Sequence, residues 1–265
     1  MHLENLDFET VGRMTVSDLF ARRLAETPDA LAAHTVRGDM TFAQWHRRAL
    51  GFRAMFLDQA GSLRGERIAL WMSSDEARTY LAAMQAVYDA GAIVVPLDDR
   101  MAVEEVRHVF DDVEPRLLVV SEIVAQRLGV EGFSTLGVTT SDVSMPSGAE
   151  AFVLRLKGNQ AEGDPIPWGP DTMPIDGLPA SPAKPDDNAF MAFTSGSTGR
   201  PKAAMWTQAT ICQYAERVSH AVYSKPRGGC HLTAQDMLQS PIPVYTGACM
   251  FENIYPTVFS GCTLV

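Results

Sequence analysis

The sequence predicts an α/β fold of layered, mostly parallel sheets with flanking helices. Helical and strand patterns alternate along the first 140 residues, which is the order that parallel sheets with crossover helices produce. Residues 92–97 are apolar almost throughout, as in strands covered on both faces. Of the 265 residues, 46% are hydrophobic and 20% charged, so the chain can bury a sizeable core.

The first two long helices begin with capping boxes. Thr15 is followed three residues later by Asp18, and Thr41 by Gln44. In this pattern the first side chain accepts a hydrogen bond from the backbone of the fourth residue, whose own side chain reaches back to the first backbone N–H. Apolar residues at helical spacing follow both boxes. We therefore expect helices to begin after Thr15 and Thr41.

A third helix is predicted between two strands. Ser73 or Ser74 is placed to cap it, and Gly91 stands where a helix-ending glycine is expected. The strands on either side are predicted at residues 67–72 and 92–97. Further elements are predicted as a helix around 103–110, a strand at 117–120, a strand at 188–194, a helix at 209–223 and a last strand at 262–265.

Residues 141–187 interrupt this alternation. Eight of the 16 prolines of the chain lie between Pro146 and Pro185. Proline removes a backbone donor and restricts its neighbours, so the segment is expected to be an extended excursion or a partly mobile linker.

Charge and cysteine content exclude several classes of protein. The formal net charge is −10, which argues against broad nucleic-acid binding because that function needs a basic face. The four cysteines include no CxxC pair and no metal-ligand spacing, and none of the six histidines pairs at zinc spacing, so no metal site is expected. His46 and His108 stand among arginines on amphipathic helices and are expected at the surface. Reduced thiols indicate a cytoplasmic protein.

The hydropathy of the sequence also shows no pattern typical of a transmembrane segment or a secretory signal. No stretch approaches 18 uninterrupted apolar residues, so no transmembrane segment is expected. The first 14 residues have no basic start followed by an apolar run, so no secretory signal is expected.

Residues 193–202, with the sequence FTSGSTGRPK, carry the clearest chemical signal. Gly196 and Gly199 allow backbone N–H groups to converge on an anion. The hydroxyls of Thr194, Ser195, Ser197 and Thr198 add donors, and Lys202 adds a charge suited to phosphate. The loop is therefore predicted to hold a polyphosphate.

Two better-known loops do not fit this segment. A Walker A loop needs GxxxxGK[ST], but Gly199 and Lys202 are three residues apart with Pro201 between them. A hydrolase elbow GxSxG centred on Ser197 would need glycine at position 195, which is Ser195.

FTSGSTGRPK resembles the phosphate-loop signature of the adenylate-forming superfamily, which includes acyl-CoA synthetases, amino-acid adenylation domains and luciferases. Two further segments are similar to that family in the expected order. Residues 86–97 resemble its upstream segment ending in Val-Pro-Leu, and residues 243–265 resemble the segment that begins the acyl pocket and ends in Gly-x-x-Leu-Val. The resemblance spans about residues 15–265.

The resemblance implies a two-step reaction. A carboxylate attacks the α-phosphate of ATP, which gives an acyl-adenylate and pyrophosphate, and a thiol, usually that of coenzyme A, then takes the acyl group. By the same resemblance, Thr194, Ser195, Gly196, Ser197, Thr198 and Gly199 would contact the phosphates with help from Lys202, and Mg²⁺ would accompany ATP. Tyr245, Thr246 and Gly247 would line the acid site.

The sequence departs from the family pattern at the acid site. The histidine common in Pro-Leu-Phe-His is Thr246 here. Amino-acid adenylation domains place an aspartate near this point to hold the substrate ammonium, whereas residues 245–248 carry no carboxylate. The departure favours a plain carboxylic acid, and apolar neighbours such as Met250 and Phe251 suit a fatty or aromatic one.

The later family motifs do not occur within residues 1–265. They include a magnesium-binding glutamate, an aspartate for the ribose, and the small C-terminal domain with the adenylation lysine. The chain is therefore expected to be an incomplete large N-terminal domain, with the catalytic residues unassigned. It would be inactive alone, and poorly soluble or dimeric.

Three hypotheses stay open. The chain is the N-terminal part of an acyl-CoA synthetase, either truncated or one half of a split enzyme. Alternatively, it is a non-catalytic remnant that binds a nucleotide, an acyl group or a partner. A third possibility is an amino-acid adenylation domain.

Overall fold

A computed structural model describes residues 2–138, 146–194, 202–222 and 232–265. It confirms the alternation of strands and helices. The helices are α1 (Phe8–Val11), α2 (Val16–Glu26), α3 (Phe42–Ala60), α4 (Ala77–Asp89), α5 (Val103–Val113), α6 (Glu122–Thr135, kinked at Gly129), α7 (Gln208–Arg217), α8 (Gly247–Cys249) and α9 (Tyr255–Ser260). The strands are β1 (Leu31–Thr35), β2 (Gly38–Thr41), β3 (Arg67–Trp71), β4 (Ile93–Leu97), β5 (Leu117–Ser121), β6 (Ala151–Lys157), β7 (Gln160–Trp168), β8 (Asn188–Thr194), β9 (Lys202–Thr207), β10 (Met237–Leu238) and β11 (Thr263–Leu264).

Both predicted capping boxes are present. The Thr15 hydroxyl accepts a hydrogen bond from the Asp18 backbone N–H at 3.1 Å, and the Asp18 carboxylate accepts from the Thr15 N–H at 2.9 Å. Thr41 and Gln44 exchange the same pair of bonds at the start of α3, at 3.2 and 2.9 Å. Each box satisfies backbone donors that a helix start leaves unpaired.

The larger sheet has the strand order β7-β6-β5-β3-β4-β8-β9. Its four central strands run parallel, helices connect β3 to β4 and β4 to β5, and antiparallel strands extend the sheet on both sides. A smaller sheet has the order β10-β11-β1-β2, in which β11 lies parallel to β1. The predicted class, layered and mostly parallel with flanking helices, is thus confirmed.

The larger sheet has a separate core on each face. Alternate residues of β3 point to opposite sides, with Ile68 and Leu70 in one core and Ala69 and Trp71 in the other. Helices α2, α3, α4, α7 and α9 cover the first face, and α5 and α6 cover the second. Burial on both faces explains why the interior positions of the central strands are mostly apolar.

The proline-rich segment contributes strands to this sheet. Its β6 pairs antiparallel with β5, and β7 pairs with β6 at the sheet edge. Pro165 and Pro167 lie within β7, where the missing N–H donors are tolerated because, in the described part of the chain, β7 is the outermost strand on this side. The prolines therefore mark an edge strand in this part of the segment.

Packing also joins this segment to the helices. The Trp168 ring stacks on Phe52 of α3 with centroids 3.6 Å apart, and Arg53 donates to the Ala180 carbonyl at 2.9 Å. Arg64 donates twice to the Asp187 carboxylate, at 2.9 and 2.8 Å, just before β8 begins. The segment thus lies along α3 before it enters β8.

One histidine expected at the surface is packed inside instead. His46 is half-buried, its ring stacks on Phe20 at 6.2 Å, and burial lowers its pKa. His108 is exposed, as expected. Cys212, Cys249 and Cys262 are buried free thiols whose pKa values are raised by burial.

Across the described parts of the chain, no helix is both long enough and apolar enough to cross a membrane.

Candidate active site

The two ends of the predicted phosphate loop meet at the edge of the larger sheet. Thr194 ends β8 and Lys202 begins β9, and these two residues pair directly in the antiparallel register. Strand β8 lies parallel to β4, with Phe190 opposite Val94. The loop residues Ser195, Gly196, Ser197, Thr198 and Gly199 lie outside the described residues. The structure therefore places the stem of the loop at the carboxyl end of β8.

A cavity of about 280 Å³ lies beside this stem. It unites three segments that are far apart in sequence: the end of β4 with the start of α5, the end of β8, and residues 245–247. Its lining consists of Pro96, Leu97, Asp98, Met101, Val109, Ala192, Phe193, Tyr245, Thr246 and Gly247. All three residues predicted for the acid site thus line one mostly apolar cavity next to the loop stem.

Thr246 uses its hydroxyl to start helix α8. The hydroxyl accepts a hydrogen bond from the Cys249 N–H at 3.1 Å and donates to the Pro243 carbonyl at 2.8 Å. Threonine is a good N-cap because its short side chain reaches the first turn of the helix. The sequence comparison with histidine missed this role, although Thr246 followed by Gly247 is a plausible helix start.

Gly247 lies against strand β8. A Cβ atom built on it would stand 3.6 Å from the Cβ of Ala192 and 3.7 Å from the ring of Phe190. These are ordinary contact distances, so an added methyl group would fill space at the cavity wall without a clash.

Tyr245 joins the cavity wall to the end of β4. Its hydroxyl lies 3.1 Å from Asp98 Oδ1 and 3.2 Å from Asp99 Oδ1, and as a single donor it is shared between them. Arg100 also donates to Asp98, at 3.0 and 2.7 Å. This hydrogen bonding from Arg100 lowers the pKa of Asp98 to about 2, so the carboxylate is ionised at neutral pH.

Two carboxylates beside Tyr245, of which Asp98 lines the cavity, are residues that the sequence analysis missed. It found no carboxylate in residues 245–248, but Asp98 and Asp99, which directly follow β4, contact the Tyr245 hydroxyl. The available signal was their position directly after the buried strand β4, because ligand sites in parallel sheets lie at the carboxyl ends of strands.

The phenol of Tyr245 keeps its proton. Burial, followed by the nearby Asp99 and Asp98 charges, raises its pKa. The hydroxyl therefore serves as a donor that ties the wall of the cavity to β4.

In the described parts of the chain, no group of three or more histidine, cysteine, aspartate or glutamate residues is arranged to hold a metal ion.

Comparison with known proteins matches most of the chain to one family. The family described as AMP-binding enzyme matches residues 20–265. A probable non-canonical nonribosomal peptide synthetase, CymA of Salinispora arenicola, is 28% identical over 216 residues, which cover 82% of this chain and 2% of that protein. Enterobactin synthase component F of Shigella flexneri is 26% identical over 251 residues, which cover 95% of this chain and 16% of that protein.

A solved structure shares the fold. The fatty acyl CoA synthetase of Mycobacterium tuberculosis superposes with a TM-score of 0.70 at 19% identity, over 97% of this chain and 45% of the other. The chain thus spans less than half the length of each of these three proteins.

Proposed function

The chain belongs to the AMP-binding enzyme family, and on this premise we propose that it forms part of an enzyme that activates a carboxylic acid with ATP. A carboxylate oxygen attacks the α-phosphorus, the bond to the bridging oxygen breaks, and pyrophosphate leaves. In a second step a thiolate sulfur, that of coenzyme A, attacks the acyl carbon and AMP leaves.

The phosphate loop supplies electrostatic stabilisation in the first step. Negative charge builds up on the departing pyrophosphate, and oriented N–H and hydroxyl donors stabilise such charge best when they are held in place beforehand. We assign this role to residues 194–199 and to Lys202. The support is the direct pairing of Thr194 with Lys202, which holds both ends of the loop on the rigid sheet.

The observation that carries the proposal is the apolar cavity beside the loop stem. Tyr245, Thr246 and Gly247 line it together with the last residues of β8. An acid whose apolar part occupied this cavity would hold its carboxylate near the loop, where the phosphates of ATP would lie. Proximity of this kind is what a two-substrate reaction needs.

The polar groups on the described lining favour an uncharged acyl group. The Thr246 hydroxyl is used in the helix cap, and the Tyr245 hydroxyl is used on the aspartates. Asp98 is neutralised by Arg100. An apolar fatty or aromatic group meets these conditions without leaving buried polar groups unpaired.

We include Mg²⁺ and coenzyme A only because the resemblance to the family implies them. Mg²⁺ would neutralise the phosphates of ATP. No cluster of ligands for it occurs among the described residues, so its ligands are not assigned. Coenzyme A is proposed as the acceptor because the chain resembles acyl-CoA synthetases.

Activation of an amino acid is the second candidate. Two of the relatives are a nonribosomal peptide synthetase and an enterobactin synthase component. Asp99 lies 3.2 Å from the Tyr245 hydroxyl and next to the cavity-lining Asp98, and its carboxylate would be the counter-charge for a substrate ammonium. The two candidates differ in the charge of the group that enters the cavity.

Acid-dependent ATP–pyrophosphate exchange, measured on the full protein that contains this chain, separates these candidates. Its substrates would be fatty, aromatic and amino acids at equal concentration. We expect exchange with fatty or aromatic acids and little with amino acids. Exchange only with amino acids would favour the second candidate, and no exchange with any acid would favour a non-catalytic binding protein.

A further inference from the structure

A second cavity lies away from the loop stem, between β2, the start of α3, the start of α4 and the turn after β7. Its volume is about 440 Å³. Three arginines and three apolar side chains form much of its lining, namely Arg47, Arg48, Arg78, Met40, Ala43 and Pro170. The proposed reaction does not use any of these residues.

Arg48 is the buried member of the arginine group. It is 5% exposed, and both of its terminal nitrogens donate to the Glu150 carboxylate, which also accepts from the Thr79 hydroxyl at 2.6 Å. Its Nε is buried without an acceptor. Glu150 therefore balances the charge of Arg48, which itself lines the cavity.

Arg47 and Arg78 have fewer hydrogen-bond acceptors than Arg48. Among the described residues, Arg47 forms no hydrogen bond or ion pair, and the only hydrogen bond of Arg78 runs to the Arg37 carbonyl. Arg47 Nη1 and Arg78 Nε are buried without acceptors. A guanidinium group has five N–H donors, and leaving them unpaired away from water is costly.

Two carboxylates, those of Asp39 and Asp171, also line the cavity, and both are exposed to solvent. Asp39 is exposed and lies 2.5 Å from His34 Nδ1. Asp171 is exposed, so water and salt screen it. Glu150 is already engaged by Arg48. Arg47 and Arg78 thus line one cavity, and neither forms an ion pair with a carboxylate among the described residues.

We propose that this cavity binds a small organic phosphate. Its phosphate group would accept hydrogen bonds from Arg47 and Arg78, since guanidinium groups bind phosphate oxygens in pairs. Its organic part would lie on the apolar wall of Met40, Ala43 and Pro170. The volume exceeds what a bare phosphate fills, which is why a phosphate ester is expected to bind more tightly than inorganic phosphate.

Calorimetric titration of the full protein with phenyl phosphate and with inorganic phosphate tests this site. We expect saturable binding of both, tighter for phenyl phosphate. Arg47→Ala and Arg78→Ala should each weaken phenyl phosphate binding about tenfold. Arg47→Lys should recover part of the loss because it keeps the charge but not the planar fork.

Matched controls distinguish this site from the phosphate loop. Arg22→Ala removes an exposed arginine of α2 and should leave binding unchanged. Loss of binding in Lys202→Ala with normal binding in Arg47→Ala would overturn the proposal, because the ligand would then occupy the loop. Absence of saturable binding in the parent protein, or equal affinity in Arg47→Ala and Arg78→Ala with unchanged circular dichroism, would also overturn it.

Discussion

At the scale of single residues, Thr246 shows how a substitution at a family position changes role. The family histidine is replaced by a side chain whose hydroxyl is fully occupied in starting α8. The residue therefore shapes the cavity through the helix it begins, and its methyl group is the part left for contact with an acid.

Thr246→Ala should lower the free energy of unfolding by about 1 kcal/mol, which is typical for loss of an N-cap. Thr246→Ser keeps the capping oxygen and should stay near the parent protein. Urea unfolding of the three proteins measures the difference. Equal stability of the alanine and serine variants would contradict the capping role.

Lys202→Ala should reduce acid-dependent ATP–pyrophosphate exchange several-fold, because the variant loses the positive charge proposed for the phosphates. Lys184→Ala is the matched control, since Lys184 is exposed and lies before β8. Unchanged exchange kinetics in Lys202→Ala would refute the phosphate role.

The lowered pKa of Asp98 predicts that the stability of the protein depends on pH. Its pKa is lowered from 3.8 to about 2, mainly by Arg100, so its stabilising contribution is present above pH 3.8 and is lost as the pH falls through 2. Asp98→Asn should therefore be less stable than the parent at pH 7. The difference between their free energies of unfolding should narrow between pH 4 and pH 2.

Urea unfolding of both proteins at pH 7, 4 and 2.5 measures that gap. Raising the salt concentration at pH 7 should also narrow it, because Arg100 is exposed and its charge is screened. A gap that does not change with pH would show that Asp98 acts through packing alone.

At the scale of elements, the end of α9 depends on one arginine and one glycine. Arg23 of α2 is buried, and it donates to the Val258 and Phe259 carbonyls at 2.9 and 2.7 Å. Gly261 follows with a φ of 78°, and an added Cβ would lie 2.8 Å from Arg23 Nη1. The glycine thus provides both the left-handed turn and the space for the arginine.

Gly261→Ala should destabilise the protein by more than about 1 kcal/mol, since it adds a clash to the cost of a left-handed alanine. Gly65→Ala is the matched control, because Gly65 has the same φ of 78° with nothing within 4 Å of an added Cβ. Thermal unfolding compares them. A Gly65→Ala variant as unstable as Gly261→Ala would contradict the contribution of Arg23.

The elements also show which local patterns are reliable. Thr15 and Thr41 begin helices as their spacing indicates, because a capping box is closed within four residues. The prolines of β7 show a local pattern that is less reliable. The proline content predicted an extended excursion or a partly mobile linker, but the position of β7 beside β6 at the sheet edge allows this part to be a strand.

At the scale of the whole molecule, two cores on opposite faces of one sheet hold the loop stem and the cavity in a fixed relation. The chain covers 45% of the fatty acyl CoA synthetase with which it superposes. We expect residues 1–265 produced alone to give no acid-dependent exchange, and to be poorly soluble or dimeric.

Exchange assays and sedimentation of that 265-residue chain test this expectation. Robust exchange would show that these residues hold a complete active site. A soluble monomer that unfolds cooperatively would contradict the expectation about solubility.

The sequence by itself determined the alternation of elements and the helix starts, and it pointed to the glycine- and hydroxyl-rich loop and to the segment that we propose for the acid site. These features depend on contacts within a few residues, which local patterns encode directly. Only the tertiary structure decided that Tyr245 meets Asp98, 147 residues away, that Thr194 pairs with Lys202, and that Arg47 shares a cavity with Arg78. Such contacts follow from the order of strands in a sheet and from the packing of helices on it, which no local pattern specifies.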